Sequence, residues 1–422
     1  MSGVKMLRGS IARSTLNTSV VLGVRLFVQA GTLVLVARLL GPESYGALAG
    51  LTAMAVLLGT FSTLGTHLVV LAEISRDRSR EAEVLSYALP VTLVGGALLL
   101  IAYFSCSLLL FPNSKILPIS IACFGLTELL LQPLLTICSS QIMARDKASL
   151  SQVIMVLPLG LRLASVLPIW WLGMPDTLLA YSFCYFIASL CALAFALYVL
   201  PGKWPVPALW RAPRRAELKK SLGFGVLNAT AAAPSELDKT LAVHLISPAA
   251  AGLYSAATRV IGAATLPVLA LMFSVMPRLF RSTDSAALSN VRLQRHILAV
   301  CLFYGTFLGG CFWLFASWLE LLFGEHYRGI GEVLRWLVIA IPALVLRMAA
   351  GNILMAAGKT WQRAGFESIG ILVLVGGAVL LTAMFGPVGM AAALSCAEWA
   401  MALVGVYLVI CARESRKLES EC

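Results

Sequence analysis

Charged side chains interrupt several long apolar runs of the sequence, and these residues are the best placed to do chemistry. The basic ones are Arg25, Arg162, Lys239, Arg259, Arg335 and Arg347, and the acidic ones are Glu128, Glu236, Asp238 and Glu398. A charge near the centre of a bilayer costs at least about 2.5–3.5 kcal/mol, so each such residue needs a partner or a hydrated cavity. A guanidinium offers forked, permanently charged donors that match phosphate oxygens. The set therefore predicts a site for a substrate that carries phosphate.

Polar residues recur at helical spacing in the runs that carry these charges. In the first apolar run, at 15–38, one narrow stripe of the helix surface carries Thr18, Arg25, Gln29 and Thr32. In the seventh apolar run, at 221–246, Asn228, Ser235 and Lys239 share one helix face. Pro234 is expected to bend the helix beside them and to leave backbone carbonyls without a donor. Such carbonyls are tolerated at membrane depth where they line protein or water. The predicted substrate-binding residues are Arg25, Gln29, Arg162, Asn228, Asp238, Lys239, Arg259 and Arg347.

Internal pairing is the alternative explanation of these charges, because an ion pair can fix the register of two helices without any substrate. For Lys239 and Arg259 the two explanations weigh equally. A cavity or an anionic ligand is favoured for the bases with no acid nearby in sequence, which are Arg25, Arg162 and Arg347. Arg335 lies close to the end of its run and can snorkel to the interface. Glu128 and Glu398 can each pair with one of these bases.

The composition places the chain in a bilayer. Apolar residues make up 59% of its 422 residues and charged residues 12%, against about 45–50% and about 25% in ordinary soluble domains. A spanning helix needs about 20 apolar residues. Suitable runs predict helices at 15–38, 46–72, 84–111, 116–142, 150–172, 177–200, 221–246, 251–277, 293–319, 331–357, 364–385 and 388–411. The predicted fold class is an all-α integral membrane protein with about twelve transmembrane helices.

No residue pattern indicates catalysis or a bound cofactor. The histidines are dispersed, and neither a P-loop nor a metal-spaced carboxylate cluster is present, so we expect no enzyme activity, no cofactor and no metal. The cysteines form no CxxC pair, which argues against a zinc site or a disulfide framework. Nucleic acid is not an expected partner, because the net charge of +12 follows from membrane topology and not from a soluble basic surface.

The chain contains an internal repeat. A shift of 206 residues places Leu39 on Leu245, Pro42 on Pro248 and Gly46 on Gly252. Further overlays follow in the same order with slightly larger shifts: Met143, Ala144 and Lys147 on Met355, Ala356 and Lys359, then Gly173, Ala180 and Ser182 on Gly386, Ala393 and Ser395. A parallel repeat of this length predicts two six-helix lobes related by a pseudo-twofold axis, with a substrate site at their interface.

The basic residues predict the boundaries and the orientation. The predicted parts are an N-terminal lobe at 1–200, a linker at 201–220, a C-terminal lobe at 221–411 and a tail at 412–422. Most of the 32 Lys and Arg residues lie at the termini and in every second connector, which leaves Arg38, Lys115 and Arg328 in the opposite connectors. The positive-inside rule therefore places both termini and the linker in the cytoplasm.

Three short motifs resemble the polysaccharide-transporter family of oligosaccharide flippases, of the O-antigen translocase type. They are Arg38-Leu-Leu-Gly-Pro-Glu-Ser-Tyr-Gly46, then Asp238-Lys239 followed by Pro248-Ala-Ala-Ala-Gly252-Leu-Tyr254, and Gly386-Pro-Val-Gly389. That family belongs to the superfamily that also contains the multidrug and toxin extruders and the lipid II flippase. The resemblance covers essentially the whole chain, although each motif is short.

The resemblance implies a V-shaped bundle in the bacterial inner membrane that works by alternating access. Its substrate would be an oligosaccharide linked to the undecaprenyl-pyrophosphate carrier, such as an O-antigen unit of lipopolysaccharide, a capsule unit or an exopolysaccharide unit. It would move from the cytoplasmic to the periplasmic leaflet, with the membrane and a polysaccharide polymerase as further partners. Cationic lumen residues are a general feature of that family, but no individual position transfers from it.

Two other functions remain open at this stage. One is a cation-coupled efflux antiporter of the same fold, although the multidrug extruders have an acidic first span and this chain has Arg25 there instead. The other is a membrane scaffold that transports nothing. A scaffold has no need to keep costly charges at mid-depth, so the charges favour a transporter.

The orientation is testable with reporter fusions. We expect a reporter that is active in the cytoplasm to work at Cys422 and at Trp210, because the basic connectors favour the cytoplasmic side. A reporter that needs the periplasm should be silent at both positions and active after Arg328. Periplasmic activity at Cys422 or Trp210 would contradict the predicted topology.

Overall fold

The computed structural model describes residues 10–110, 116–145, 147–200, 202, 204–265, 267–268, 272 and 289–421. The chain is helical through most of these residues. The helices are α1 (Ser10–Ser62), α2 (Thr66–Arg76), α3 (Glu81–Leu110), α4 (Pro118–Leu126), α5 (Gln132–Met143), α6 (Ala148–Ala164), α7 (Val166–Leu172), α8 (Thr177–Val199), α9 (Arg215–Leu245), α10 (Pro248–Ala264), α11 (Ser289–Phe315), α12 (Trp318–Phe323), α13 (Ile330–Leu337), α14 (Ala340–Ala356) and α15 (Thr360–Glu421). A π-helical turn, Thr127–Leu131, joins α4 to α5.

The predicted fold class is confirmed: the protein is an all-α membrane protein with the two-lobed, twelve-helix fold. Among the described residues, seven helical stretches are long and apolar enough to cross a membrane, and α13 with α14, bent by 44°, form an eighth. The charged helix α9 is not one of these seven. The predicted span 251–277 is described to Thr265 and at 267–268 and 272, and the rest of it lies outside the described residues, as does Lys115.

The two longest helices each contain a Gly-Pro break. Gly41 has φ 71° and ψ 169° inside α1, and Gly386 has φ 56° and ψ −133° inside α15. Glycine tolerates positive φ because it has no β-carbon, and the proline that follows suits the first turn of a new helix. Both breaks fall where the sequence predicts a connector between consecutive spans, so α15 supplies two predicted spans and α1 supplies the first span and part of the second.

The second predicted span, 46–72, is not continuous. It is broken between α1 and α2, where Leu64 has φ 45° and Gly65 has φ 78°. A β-carbon on Gly65 would overlap the carbonyl oxygen of Ser221 and the amide nitrogen of Gly225. The break therefore lets the start of α9 pack directly against this backbone, a contact that local sequence does not reveal.

The chain forms two compact units. The first contains Met1–Leu40 and Leu51–Ala232, and the second contains Gly41–Gly50 and Ala233–Cys422. Part of α1 thus belongs to the second unit, and the first part of α9 belongs to the first unit. The division of the chain into lobes on either side of 201–220 stays a prediction.

Polar contacts fasten the segment before α9 to the first unit. The backbone amide of Arg211 donates to the Ser86 carbonyl at 3.0 Å, and its guanidinium makes two hydrogen bonds, of 2.8 and 2.7 Å, to Glu217. Glu73, at the end of the second predicted span, accepts hydrogen bonds from both Lys220 and Arg80. The bond from Lys220 and the neighbouring positive charges lower the pKa of Glu73. The part of the predicted linker at 204–220 is therefore held against α3 and the end of the second predicted span.

The repeated motifs meet within the second unit. A β-carbon on Gly46 would overlap the carbonyl oxygen of Pro248, and one on Gly252 would overlap the carbonyl oxygen of Pro42. Pro42 and Gly46 are the repeat equivalents of Pro248 and Gly252, so the same contact occurs twice with the partners exchanged. The contact between the two copies of the motif is therefore reciprocal. We call this contact the glycine crossing.

The close backbone contact at the glycine crossing predicts that a small substitution there destabilises the protein more than the same substitution elsewhere on α10. Gly252→Ala should destabilise the protein by about 1–3 kcal/mol, because an added methyl group must displace backbone and not a flexible side chain. Gly262→Ala on the same helix is the matched control, since no atom lies within 4 Å of its added β-carbon. Thermal unfolding of the purified proteins measures both. Equal stability of the two variants would contradict the close approach.

Candidate functional site

In the first unit, Arg162 is buried against a carboxylate. Its Nη2 atom lies 3.5 Å from Oε1 of Glu128 and donates a hydrogen bond of 2.7 Å to Oγ of Ser189. Its Cζ atom lies 3.4 Å from the centre of the Tyr185 ring, and the Tyr185 hydroxyl donates to Glu128 at 2.5 Å. Arg162 and Glu128 are 6% and 7% exposed. The π-helical turn carries Glu128, and such turns often mark sites with a special role.

In the second unit, Arg347 is paired in the same way. Its Nε atom donates to Oε2 of Glu398 at 2.7 Å, which joins α14 to α15. Both side chains are buried, so neither has solvent to compensate its charge. A charge-assisted bond in this setting is strong, and leaving either partner alone would be costly.

The two pairs confirm that Glu128 and Glu398 each pair with one of the intramembrane bases. The sequence favoured a cavity or an anion for Arg162 and Arg347 because no acid is nearby along the chain. In the folded units the acids come from neighbouring helices. Each of these arginines therefore has an internal partner, and a role in substrate binding would require that ion pair to open.

Lys239 also has partners close by. Its Nζ atom lies 3.5 Å from both Glu236 and Asp238, and it donates to the carbonyl of Ser235. Asp238 is further held by the Lys239 amide at 2.7 Å and by the Tyr254 hydroxyl at 3.0 Å. Lys239 therefore bonds to the backbone of its own helix one turn back from its position. The pairing alternative is confirmed for Lys239.

Arg259 lies close to Lys239 and to the glycine crossing. Its Cζ atom is 5.5 Å from the centre of the Tyr45 ring, within the range of a cation–π interaction. Tyr45 is fully buried and packs edge-on against Tyr327, with ring centres 6.5 Å apart. The structure thus brings together Lys239, Asp238 and Arg259, three of the predicted site residues, in the second unit.

The first span presents a different picture. Arg25 is half-buried and, in the part of the chain that the structure describes, forms no ion pair with a carboxylate. Gln29 is exposed, and the Thr32 hydroxyl donates to the carbonyl of Val28 at 2.7 Å. The side chains of Thr18 and Asn228 lie outside the described residues. Arg25 therefore remains a base whose charge has no described acid to balance it.

Sequence reasoning missed several buried polar residues. Glu367 is 2% exposed and accepts a hydrogen bond of 3.0 Å from Arg363, and the four-residue spacing of this pair was an available signal. Tyr45 and Tyr254 belong to the quoted motifs, but their types alone did not indicate that they would contact Arg259 and Asp238. Tyr185 had no sequence signal at all.

The chain belongs to a known family: the model of the family described as polysaccharide biosynthesis protein matches residues 11–283. No curated protein matches the chain.

Solved structures share its fold. An inward-facing multidrug resistance MATE family transporter of the MOP superfamily has a TM-score of 0.77 and 16% identity, over 93% of this chain and 95% of that one. The lipid II flippase MurJ, in an inward closed conformation, has a TM-score of 0.72 and 13% identity, over 93% and 87%. An outward-facing MATE structure has a TM-score of 0.67 and 15% identity, over 99% of each chain. The protein is therefore a multi-pass membrane protein with a transporter fold.

The buried pair in the second unit predicts a large effect on stability. Glu398→Ala should destabilise the protein by about 3–5 kcal/mol, because it leaves the Arg347 guanidinium buried without its carboxylate. The double variant Arg347→Met/Glu398→Leu should recover most of that loss. The exposed pair Glu325 and Arg328, 3.9 Å apart, supplies the control, since Glu325→Ala should change stability by no more than about 1 kcal/mol. Thermal unfolding measures all three, and a tolerated Glu398→Ala would show that the pair is not needed.

Proposed function

We propose that the protein is a flippase for a lipid-linked oligosaccharide. The substrate is a glycan on the undecaprenyl-pyrophosphate carrier, such as an O-antigen, capsule or exopolysaccharide unit, and it moves from the cytoplasmic to the periplasmic leaflet of the bacterial inner membrane by alternating access. The observation that carries this proposal is the match to the polysaccharide biosynthesis family. The fold shared with a protein named as a lipid II flippase supports the same class of substrate.

The intramembrane bases suit the acidic part of such a substrate. Arg25 is the strongest candidate, because no described carboxylate balances it and Gln29 is exposed on the same stripe. Lys239 and Arg259 form a second group of cations near the glycine crossing. Asn228 and Asp238 remain proposed substrate-binding residues beside these cations. Arg162 and Arg347 would take part only in a state where their ion pairs have opened.

The topology belongs to the same proposal. Both termini and the linker at 201–220 lie in the cytoplasm, as the distribution of basic residues indicates. A polysaccharide polymerase would act next on the flipped unit, so it is the proposed protein partner.

A cation-coupled efflux antiporter is the second candidate, and one observation favours it: the inward-facing MATE structure has a TM-score of 0.77, against 0.72 for MurJ. The identities of 16% and 13% show the fold alone. An antiporter for cationic drugs needs a net acidic site, whereas the first span carries Arg25 and no carboxylate. The flippase is therefore the better supported function.

The experiment that tests the proposal is substitution of Arg25. Arg25→Ala should reduce glycan export about tenfold or more, because it removes a hydrogen bond to a charged group. Arg25→Lys should retain part of the function, since lysine keeps the positive charge but lacks the forked pair of guanidinium donors. Surface glycan is measured against the amount of protein in the membrane.

Arg335→Ala is the matched control. Its guanidinium lies near a helix end, donates to Ser317 at 3.1 Å and contacts Trp313. This variant should export glycan normally. If Arg25→Ala does so as well at normal protein levels, anion binding at Arg25 is wrong and packing is the better account.

A further inference from the structure

The linker carries a short apolar segment on its outer surface. The four consecutive residues at 206–209 have the sequence Val-Pro-Ala-Leu, and all four are exposed. Val206 and Leu209 are exposed to 59% and 64%. We call residues 206–209 the apolar tip. Large apolar side chains that lie together in water are unfavourable, so the apolar tip calls for a surface that covers it.

Two tryptophans hold the ends of the apolar tip against the first unit. Trp204 precedes the tip and Trp210 follows it, and both pack on the buried core that α2, α3 and α5 share. The indole nitrogen of Trp204 donates to Oε1 of Gln141 at 3.2 Å, and that of Trp210 donates to the carbonyl of Pro205 at 3.0 Å. Both rings are partly buried, so the tip between them is held at the outer surface of the unit.

The linker lies at the level where the predicted spans end. The amide of Arg211 donates to the carbonyl of Ser86 at 3.0 Å. Ser86 belongs to the predicted span 84–111 and lies about 7 Å along the helix axis from Glu81, the first residue of α3. The side chain that accepts from Trp204 likewise lies at the end of the predicted fourth span. This level corresponds to the membrane interface, where tryptophan is enriched.

Basic residues beside the apolar tip supply a second attraction of a different kind. Arg214 and Arg215 are exposed and, within the described part of the chain, form no ion pair with a carboxylate. Arg211 differs, because its guanidinium makes hydrogen bonds of 2.8 and 2.7 Å to Glu217. Exposed arginines next to an exposed apolar segment fit a surface that is anionic outside and apolar beneath, which describes a leaflet rich in anionic lipid.

We propose that residues 206–215 form an interfacial anchor for anionic lipid. The apolar tip inserts below the headgroups of the leaflet, while Arg214 and Arg215 bind the lipid phosphates. The inference takes the leaflet from the proposed cytoplasmic position of the linker and does not depend on the transported substrate. Its consequence is that the charge of the surrounding lipid stabilises the linker where it packs on the first unit.

Amide hydrogen exchange of the purified full-length protein in nanodiscs tests the anchor. One nanodisc contains phosphatidylcholine alone, and the other contains phosphatidylcholine and phosphatidylglycerol in equal amounts. We expect residues 204–215 to exchange about tenfold more slowly with phosphatidylglycerol, since each arginine near an anionic surface contributes roughly a fivefold preference. The middle of α8 is the internal reference and should exchange equally in both nanodiscs.

Neutral variants separate the two arginines from the net charge of the protein. Arg214→Gln/Arg215→Gln should remove most of the difference between the nanodiscs at 204–215. Arg76→Gln/Lys147→Gln is the matched control, because it removes two exposed positive charges from other connectors of the same unit. This control should keep the difference. If it loses the difference as fully as the first variant does, the effect reports net charge and the anchor is wrong.

The apolar tip has its own variant, Val206→Ser/Leu209→Ser. It should speed exchange at 204–215 in both nanodiscs, because insertion of apolar side chains does not depend on the charge of the lipid. A cytosolic protein is the other occupant to consider. If the wild type exchanges equally in both nanodiscs and this variant changes neither rate, the tip lies in water and the lipid anchor is overturned. Glycan export by Arg25→Ala is a separate result, so the two proposals fail separately.

Discussion

The glycine crossing is the contact on which the arrangement of the second unit depends. The carbonyl oxygens of Pro42 and Pro248 occupy the space that a β-carbon on the facing glycine would need, so the two backbones approach more closely than any side chain would permit. The segment Gly41–Gly50 therefore belongs to the second unit, although the rest of α1 belongs to the first.

The second constraint is that a buried charge needs a partner of opposite charge, and each unit contains a buried ion pair of this kind. Glu128 and Arg162 lie in the fourth and fifth predicted spans, whereas Arg347 and Glu398 lie in the tenth and twelfth, which are the repeat equivalents of the fourth and sixth. The two pairs are therefore not copies of one repeated pair, and each is explained by helix packing within its own unit.

The sequence predicted what depends on periodicity and on local backbone chemistry. The repeat, the helical spans and the breaks at Gly41 and Gly386 follow from apolar run lengths and from Gly-Pro pairs. The break at Leu64 did not, because it is set by a contact with Ser221 and Gly225, far away along the chain. The partners of Arg162 and Arg347 were missed for the same reason: charge alone identifies a residue that needs a partner, but only packing of different helices decides which acid reaches it.

Arg25 differs from the paired bases in a way that bears on transport. A base that keeps the same internal partner in both conformations stabilises both equally, so its ion pair cannot shift the balance between them. A base or hydroxyl whose interactions are incomplete can shift this balance, because a ligand then adds a favourable interaction to one conformation that the other conformation lacks. Arg25 has no ion pair in the part of the chain that the structure describes. Groups that the fold leaves incompletely satisfied are thus better candidates for coupling substrate to movement than the strongest buried charge pairs.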